Sequence, residues 1–282
     1  MTVFKAACIQ LNAGREVEPN IRIAADLVRR ARDAGADLIM TPEVSDMIEP
    51  KRALRDEKAR IEREHPMLAA FRDLARETGA HLLLGSIVVR TEGDGRLANR
   101  SFLIAPDGNI LARYDKIHMF DVDLPGGESY RESAVFKPGE GTALASLPWG
   151  VLGLTICYDL RFPHLYRALA QGGADFLTVP SAFTVPTGKA HWHVLLRARA
   201  IENGCFVFAP AQCGEHAEGR KTYGHTLIVA PWGEILAEAG DEPGFILAEI
   251  DTAKIAEARR AVPSLGHDRP FATPAKRPAA AK

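Results

Sequence analysis

The sequence predicts an α/β fold, a four-layer α-β-β-α sandwich assembled from one duplicated unit. The first observation behind this is ordered self-similarity. Gly173-Ala174-Asp175-Phe176-Leu177-Thr178-Val179-Pro180-Ser181 echoes Gly35-Ala36-Asp37-Leu38-Ile39-Met40-Thr41-Pro42-Glu43. Val229 to Ala237 copies Ile104 to Ala112, and the helix stop at Gly204 matches the Glu77-Thr78-Gly79 junction. The second observation is that each unit has helices to cover one sheet face and leaves the other bare, so two units can bury their bare faces together. The third is that no Gly/Ser/Pro-rich linker separates the halves, so residues 1–271 read as one domain rather than two.

In chain order, Val3 to Leu11 reads as a strand and Ile21 to Ala34 as an amphipathic helix with Ile21, Ala24, Ala25, Leu27 and Val28 on one face. A buried strand follows from Asp37 to Met40 and ends at Thr41-Pro42-Glu43. A charged helical segment covers Pro50 to Glu64, and a clearer helix covers Pro66 to Glu77, stopped by Gly79. His81 to Val89 is a strand, and Ser101 to Ala105 with Ile110 to Tyr114 forms a hairpin about Pro106-Asp107-Gly108-Asn109. The second half starts with the strand Val151 to Cys157 and the helix His164 to Gln171. The helix His191 to Glu202 and the strand Cys205 to Ala209 complete the repeat. Residues 262–271 form a weakly periodic C-terminal arm, and 272–282 are a Pro/Ala/Lys tail that reads as disordered.

With 282 residues, 46% hydrophobic and 25% charged, the composition is that of a folded globular chain. The net charge of -1 gives no overall basic field, so no nucleic-acid partner is expected. No stretch is long and apolar enough to span a bilayer, and no secretory leader precedes the first strand, so a membrane is not expected either. Four cysteines without C-x-x-C spacing fit a reducing compartment, and the expected location is the cytoplasm.

Cys157 closes an apolar run, Gly153-Leu154-Thr155-Ile156-Cys157, just before polar residues and a helix-like segment. A thiol at the C-terminal end of a strand lies where open α/β sheets hold ligands, and the next helix offers backbone N–H groups to a thiolate or an oxyanion. A packed core thiol fits the same stretch equally well. Glu43 ends a strand where its repeat counterpart is Ser181, which makes it a candidate base or a helix cap. Lys116 lies in a segment too apolar for an ordinary solvated loop, Tyr114 to Asp123, although a solvated lysine is the usual reading of a single such residue.

Thr41-Pro42-Glu43, Asp115-Lys116-Ile117-His118 and Cys157-Tyr158-Asp159-Leu160-Arg161-Phe162-Pro163 resemble, in order and spacing, the Glu, Lys and Cys motifs of the nitrilase superfamily of carbon-nitrogen hydrolases. The resemblance runs from Val3 to about Phe271. Within the superfamily, Pro180-Ser181-Ala182-Phe183-Thr184, Ala190-His191-Trp192, Arg197 to Glu202, Ala211-Gln212-Cys213-Gly214 and Tyr223-Gly224-His225 look most like the deaminated-glutathione amidases, close relatives of the ω-amidases. It implies a second glutamate after the lysine, matched by Glu132 in Tyr130-Arg131-Glu132-Ser133. It also implies a cofactor-free, metal-free amidase acting on a small-molecule amide, and a homodimer or higher homo-oligomer in which the Pro263 to Phe271 arm makes contact. These amidases usually carry an aromatic near the positions of Ser45 or Met47, in a stretch expected to line the pocket.

The chemistry of the set can be argued from the residues. Lys116 would draw the Cys157 thiol, ordinarily titrating at about 8.5, towards thiolate. Glu43 would take the thiol proton and deliver it to the leaving nitrogen, because an amide nitrogen leaves poorly until protonated. The Lys116 ammonium and the Tyr158 N–H would hold the oxyanion. Arg161 and Arg199 are candidates for a substrate carboxylate, unless each forms an internal ion pair, and Phe183 and Thr184 complete the expected pocket. A papain-like Cys157–His118 pairing would leave Glu43 without a role. His191 and His193 are two apart on a helix and cannot chelate from one side. Gly126-Gly127 and Gly172-Gly173 lack the phosphate-loop pattern. An N-carbamoyl amino acid amidohydrolase or a nitrilase is the enzymatic alternative, and a catalytically idle scaffold is the non-enzymatic one.

Overall fold

The computed structural model describes residues 2–93, 95–124 and 127–272. The first half runs β1 (Val3–Gln10), α1 (Val17–Asp33), β2 (Leu38–Met40), α2 (Arg52–Lys58), α3 (Pro66–Thr78), β3 (His81–Arg90), β4 (Leu97–Ile104), β5 (Ile110–Asp115), β6 (Asp121–Asp123) and β7 (Ser129–Arg131). The second runs β8 (Ala143–Leu147), β9 (Gly150–Leu154), α4 (Pro163–Gln171), β10 (Phe176–Thr178), α5 (Val185–Asn203), β11 (Phe206–Ala209), β12 (Cys213–Glu215), β13 (Lys221–Tyr223), β14 (Leu227–Val229), β15 (Ile235–Glu238), β16 (Gly244–Asp251) and α6 (Ala253–Ala261).

Two six-stranded sheets result, ordered β16-β1-β2-β3-β4-β5 and β8-β9-β10-β11-β14-β15. In each, three parallel strands come first, β1-β2-β3 or β9-β10-β11, and an antiparallel pair follows, β4-β5 or β14-β15. The duplication predicted from the sequence is therefore present strand for strand. Even the register shift recurs, between Leu103 and Ile104 in one hairpin and between Ile228 and Val229 in the other. The helices α3 and α5 both end on a glycine in the left-handed region, Gly79 at φ 65° and Gly204 at φ 56°.

Alternation along β1 divides the layers. Ala7 and Ile9 face α1 and α3, with Leu27, Val28, Phe71 and Leu74. Phe4, Ala6 and Cys8 face the second sheet, where Phe4 meets Phe176 edge-on at 5.5 Å and stacks on Trp149 at 4.3 Å. Helices α4 and α5 cover the second sheet with Leu165, Leu169, Leu196 and Ala200. The molecule is the predicted α-β-β-α sandwich.

The edges depart from the prediction. Each sheet has a sixth strand: β8 turns directly into β9, whereas β1 pairs with β16, which is distant in sequence. The strand predicted to reach Cys157 stops at Leu154, and Cys157 opens a 3-10 turn, Cys157–Arg161. The predicted helix over Pro50 to Glu64 divides into α2 and a 3-10 turn, Glu62–Glu64. Helix α5 begins at Val185, six residues before His191, with Pro186 in its first turn. The C-terminal arm is held by Arg167, which donates to Ser264 O at 2.7 Å and pairs with Asp268 at 2.6 Å. The tail from residue 273 lies outside the described residues.

Candidate active site

Glu43, Lys116 and Cys157 follow the C-terminal ends of β2, β5 and β9, and the sandwich brings these ends to one cavity. Close packing at the seam requires Gly85: a Cβ there would stand 1.9 Å from Thr41 O and 2.7 Å from Pro180 Cβ, in the two loops that flank the site. Val44 (φ 48°) and Cys157 (φ 52°) sit in the left-handed region without being glycine. Such strain persists where surrounding contacts over-determine it. At Cys157 those contacts are visible. Its N–H donates to Pro180 O at 3.0 Å, across to the loop after β10. Asp159, fully buried, accepts from Tyr114 Oη at 2.7 Å, Ile156 N at 2.9 Å and His118 N at 3.1 Å, and contacts His118 Nδ1 at 2.7 Å. One carboxylate thus ties the cysteine turn to the segment that carries Lys116.

Lys116 Nζ stands 2.8 Å from Glu43 Oε1 and 3.0 and 2.9 Å from the two oxygens of Glu132. Glu43 Oε2 accepts the Ala182 N–H at 2.9 Å, and Oε1 also accepts Asn99 Nδ2 at 2.9 Å. Glu132, in a 3-10 turn after β7, accepts the Phe120 N–H at 2.6 Å. The Cys157 thiol lies beside Glu43, near enough for each to shift the titration of the other. All four predicted residues therefore meet. Glu43 is 4% exposed, Lys116 2% and Cys157 7%.

Burial pushes the Glu43 carboxyl up, but the Lys116 charge and hydrogen bonds from Cys157, Lys116 and Asn99 outweigh it and hold the group below the usual carboxylate range. Burial by itself would discharge Lys116, yet Glu132, Glu43 and Cys157 raise it well above an ordinary lysine. For Cys157, burial and the Glu43 charge push the thiol well up against the pull of Lys116. The resting site is a neutral thiol beside a carboxylate. Lys116 does draw Cys157 towards thiolate as expected, but burial and the Glu43 charge outweigh it, so the thiolate expected from Lys116 is not the resting state.

Tyr158, Arg161, Phe183 and Thr184 line the same cavity, whose volume is about 520 Å³. This lies in the range of small-ligand sites. The Tyr158 N–H is the second donor of the 3-10 turn, where the turn itself offers no acceptor. Arg161 lies over Phe183, 5.5 Å from the ring centroid, and 3.3 Å from His191 Nδ1. Arg199 is elsewhere. Its guanidinium is buried under the cysteine turn, donating twice to Leu160 O at 3.0 and 2.8 Å and pairing with Glu202 at 2.7 Å. It supports that turn and does not line the cavity. Val44 and Pro50, rather than Ser45 or Met47, line the wall after Glu43; Ser45 Oγ donates to Pro42 O at 2.8 Å. Among the described residues, the His193, His225 and Glu238 group, whose donor atoms lie within 4.8 Å of one another, could receive a metal, but none of the three lines this cavity.

Sequence reasoning missed Asn99 and Asp159. Asn99 occupies a buried strand position, where a polar residue needs a partner, and that mismatch is its only sequence signal. Asp159 adjoins the recognised cysteine but reads as an ordinary turn residue.

The carbon-nitrogen hydrolase family model matches residues 5–260. A deaminated glutathione amidase from Synechocystis is 42% identical over 95% of this chain and 98% of its own. The human omega-amidase NIT2 is 35% identical over 93% of this chain and 94% of its own. Among solved structures, the C. elegans NitFhit protein superposes with a TM-score of 0.89 at 35% identity, over 95% of this chain and 65% of that one. A glutamate-to-glutamine mutant of a Nesterenkonia amidase, with acrylamide added to its active-site cysteine, superposes with a TM-score of 0.76 at 27% identity, over 92% of this chain and 98% of that one.

Proposed function

The chain belongs to the carbon-nitrogen hydrolase family, and we propose that it is an amidase working through a thioester at Cys157, with Glu43 as base, Lys116 as electrophilic cation and Glu132 as the carboxylate that keeps Lys116 charged and oriented. The observation that carries this reading is the buried Glu43–Lys116–Glu132 triangle closed by the Cys157 thiol.

Sulfur attacks the amide carbonyl as its proton moves to Glu43, and the negative charge moves from that carboxylate to the carbonyl oxygen. Lys116, already 2.8 Å from Glu43, is in reach of both. The net charge of the buried cluster does not change, so no charge has to be desolvated during the step. The Tyr158 N–H is the second oxyanion donor. Glu43 returns the proton to the nitrogen, the C–N bond breaks and the amine departs. Water then gives a proton to Glu43 and attacks the thioester, and the thiol is re-formed as the acid leaves.

The substrate class is deaminated glutathione or a related ω-amide of a dicarboxylate. A primary amide would release ammonia, and a peptide amide the amine half. Arg161, beside the cysteine turn in the cavity wall, is the cation suited to the carboxylate of the acyl half. Phe183 and Thr184 shape the wall near it. No helix of the described residues is long and apolar enough to cross a membrane. We place residues 1–271 in one functional unit acting in the cytoplasm, where its free cysteines suit a reducing medium. We also propose a homo-oligomer, at least a dimer, using exposed Ile201 and Trp232 beside the C-terminal arm. Light scattering that gives a monomer at all concentrations would exclude this assembly.

The direct test compares ω-amides, N-carbamoyl amino acids and nitriles as substrates of the wild-type and Cys157→Ala proteins. The ω-amides should be turned over fastest, and Cys157→Ala should release no amine. Amine release by Cys157→Ala at the wild-type rate would end the proposal.

A further inference from the structure

Five arginines line the cavity, and their partners differ. Arg52 pairs with Asp56, Arg131 pairs with Asp123, and Arg161 contacts His191. Arg55 and Arg220 remain. Among the described residues neither guanidinium forms an ion pair with a carboxylate, and the Nε of each is buried without a hydrogen-bond partner. Arg55 is nevertheless held in place, stacked over Phe136 at 5.7 Å with one Nη donating to Glu49 O at 3.2 Å.

Burial lowers the Arg55 pKa, and the positive charges of Arg52 and Arg220 add to that effect against the raising influence of Asp56 and Glu49. Two guanidiniums that line one cavity, near enough to repel and neither in an ion pair, are costly unless something negative arrives. The two lining carboxylates, Glu43 and Glu132, are already engaged by Lys116.

We propose that Arg55 and Arg220 form a second anion subsite, which receives the terminal carboxylate on the amine half of a peptide-like amide. This rests on the amidase reading above, in which Arg161 takes the acyl-half carboxylate. Arg161 belongs to the cysteine turn and stacks on Phe183, whereas Arg55 comes from α2 and stacks on Phe136, so the two cation sites are built from different elements and different aromatic partners. A substrate with one carboxylate needs only the first. Two sites fit an amide with a carboxylate at each end, and such a pair would favour peptidyl amides over primary ω-amides.

Isothermal titration of the inactive Cys157→Ala protein tests this, with deaminated glutathione and its C-terminal carboxamide as the two ligands. The free acid should bind about 10- to 100-fold more tightly, the effect of a charge-assisted hydrogen-bond pair. That preference should collapse towards parity in Arg55→Gln and Arg220→Gln, and Arg220→Lys, which keeps the charge, should retain part of it. Thermal melts establish that each variant is folded. Equal affinity for the two ligands, no binding of the free acid, or a preference that survives both glutamine variants would overturn the subsite. The amidase reading stands or falls separately, on amine release by the wild-type protein.

Discussion

Glu43 contacts the Lys116 ammonium, takes the Ala182 N–H and lies beside the Cys157 thiol, whose proton it accepts in the proposed mechanism. Glu43→Gln should lower kcat by about 10²- to 10⁴-fold, the usual worth of a positioned base. The same substitution removes the anion that pushes the Cys157 thiol up, so thiolate titration should give a lower Cys157 pKa in the variant than in the wild type. Lost activity together with an easier thiolate separates a base from an electrostatic bystander. The pH profile of kcat/KM follows from the same residue. Because Glu43 titrates below the usual carboxylate range, its base form is present above that point, and the acid limb should fall below the ordinary value of about 4.3. No gain should appear near 8.5, where a free thiol would ionise. The identities of Glu43, Lys116 and Cys157 were readable because each sits beside a distinctive local motif. The charge state of Cys157 was not, because it depends on the balance among Glu43, Lys116 and burial, which exists only after residues far apart in sequence are brought together.

Between elements, the site depends on two contacts of a single kind: turns pinned across the seam. Asp159 joins the cysteine turn to the segment after β5, and Gly85 lets β3 approach the loops of both halves. Asp159→Asn leaves buried donors short of an acceptor, and by the measure of broken buried networks it should cost about 3 kcal/mol, read as a lower Tm. Misplacing the thiol should also lower kcat by about 10²-fold with little change in KM. The parallel strands and the helices between them were legible from apolar periodicity and from the glycine stops at Gly79 and Gly204. Strands β8 and β16 were not, since edge strands alternate weakly and β16 takes its meaning from a partner distant in sequence. Arg199 shows the same limit. Its residue type suits a carboxylate, but only the packing of α5 under the cysteine turn reveals that Leu160 O and Glu202 already occupy it.

For the whole molecule, the duplication explains why neither half should be stable alone. Each unit would expose the face bearing Phe4, Cys8 and Leu38, or Phe176 and Leu154, and the first sheet takes its edge from β16. Equilibrium denaturation of the full chain should therefore give one transition, coincident in far-UV circular dichroism and in the fluorescence of its three tryptophans, of which Trp149 stands at the seam. Residues 1–142 expressed alone should show no cooperative melt; two separated transitions in the full chain would contradict this. Cysteine placement agrees with a single interior. Cys8, Cys205 and Cys213 are buried away from the cavity that Cys157 lines, so none of them meets a substrate bound there. The whole molecule thus presents one thiol with a base to chemistry, and the most direct measurement is mass spectrometry of acid-quenched protein during turnover of an ω-amide. The account predicts an acyl group, the substrate less its amine, on the peptide containing Cys157, absent when Cys157→Ala is treated identically. Turnover with no acyl adduct on Cys157 under rapid quenching, or an adduct on another residue, would contradict it.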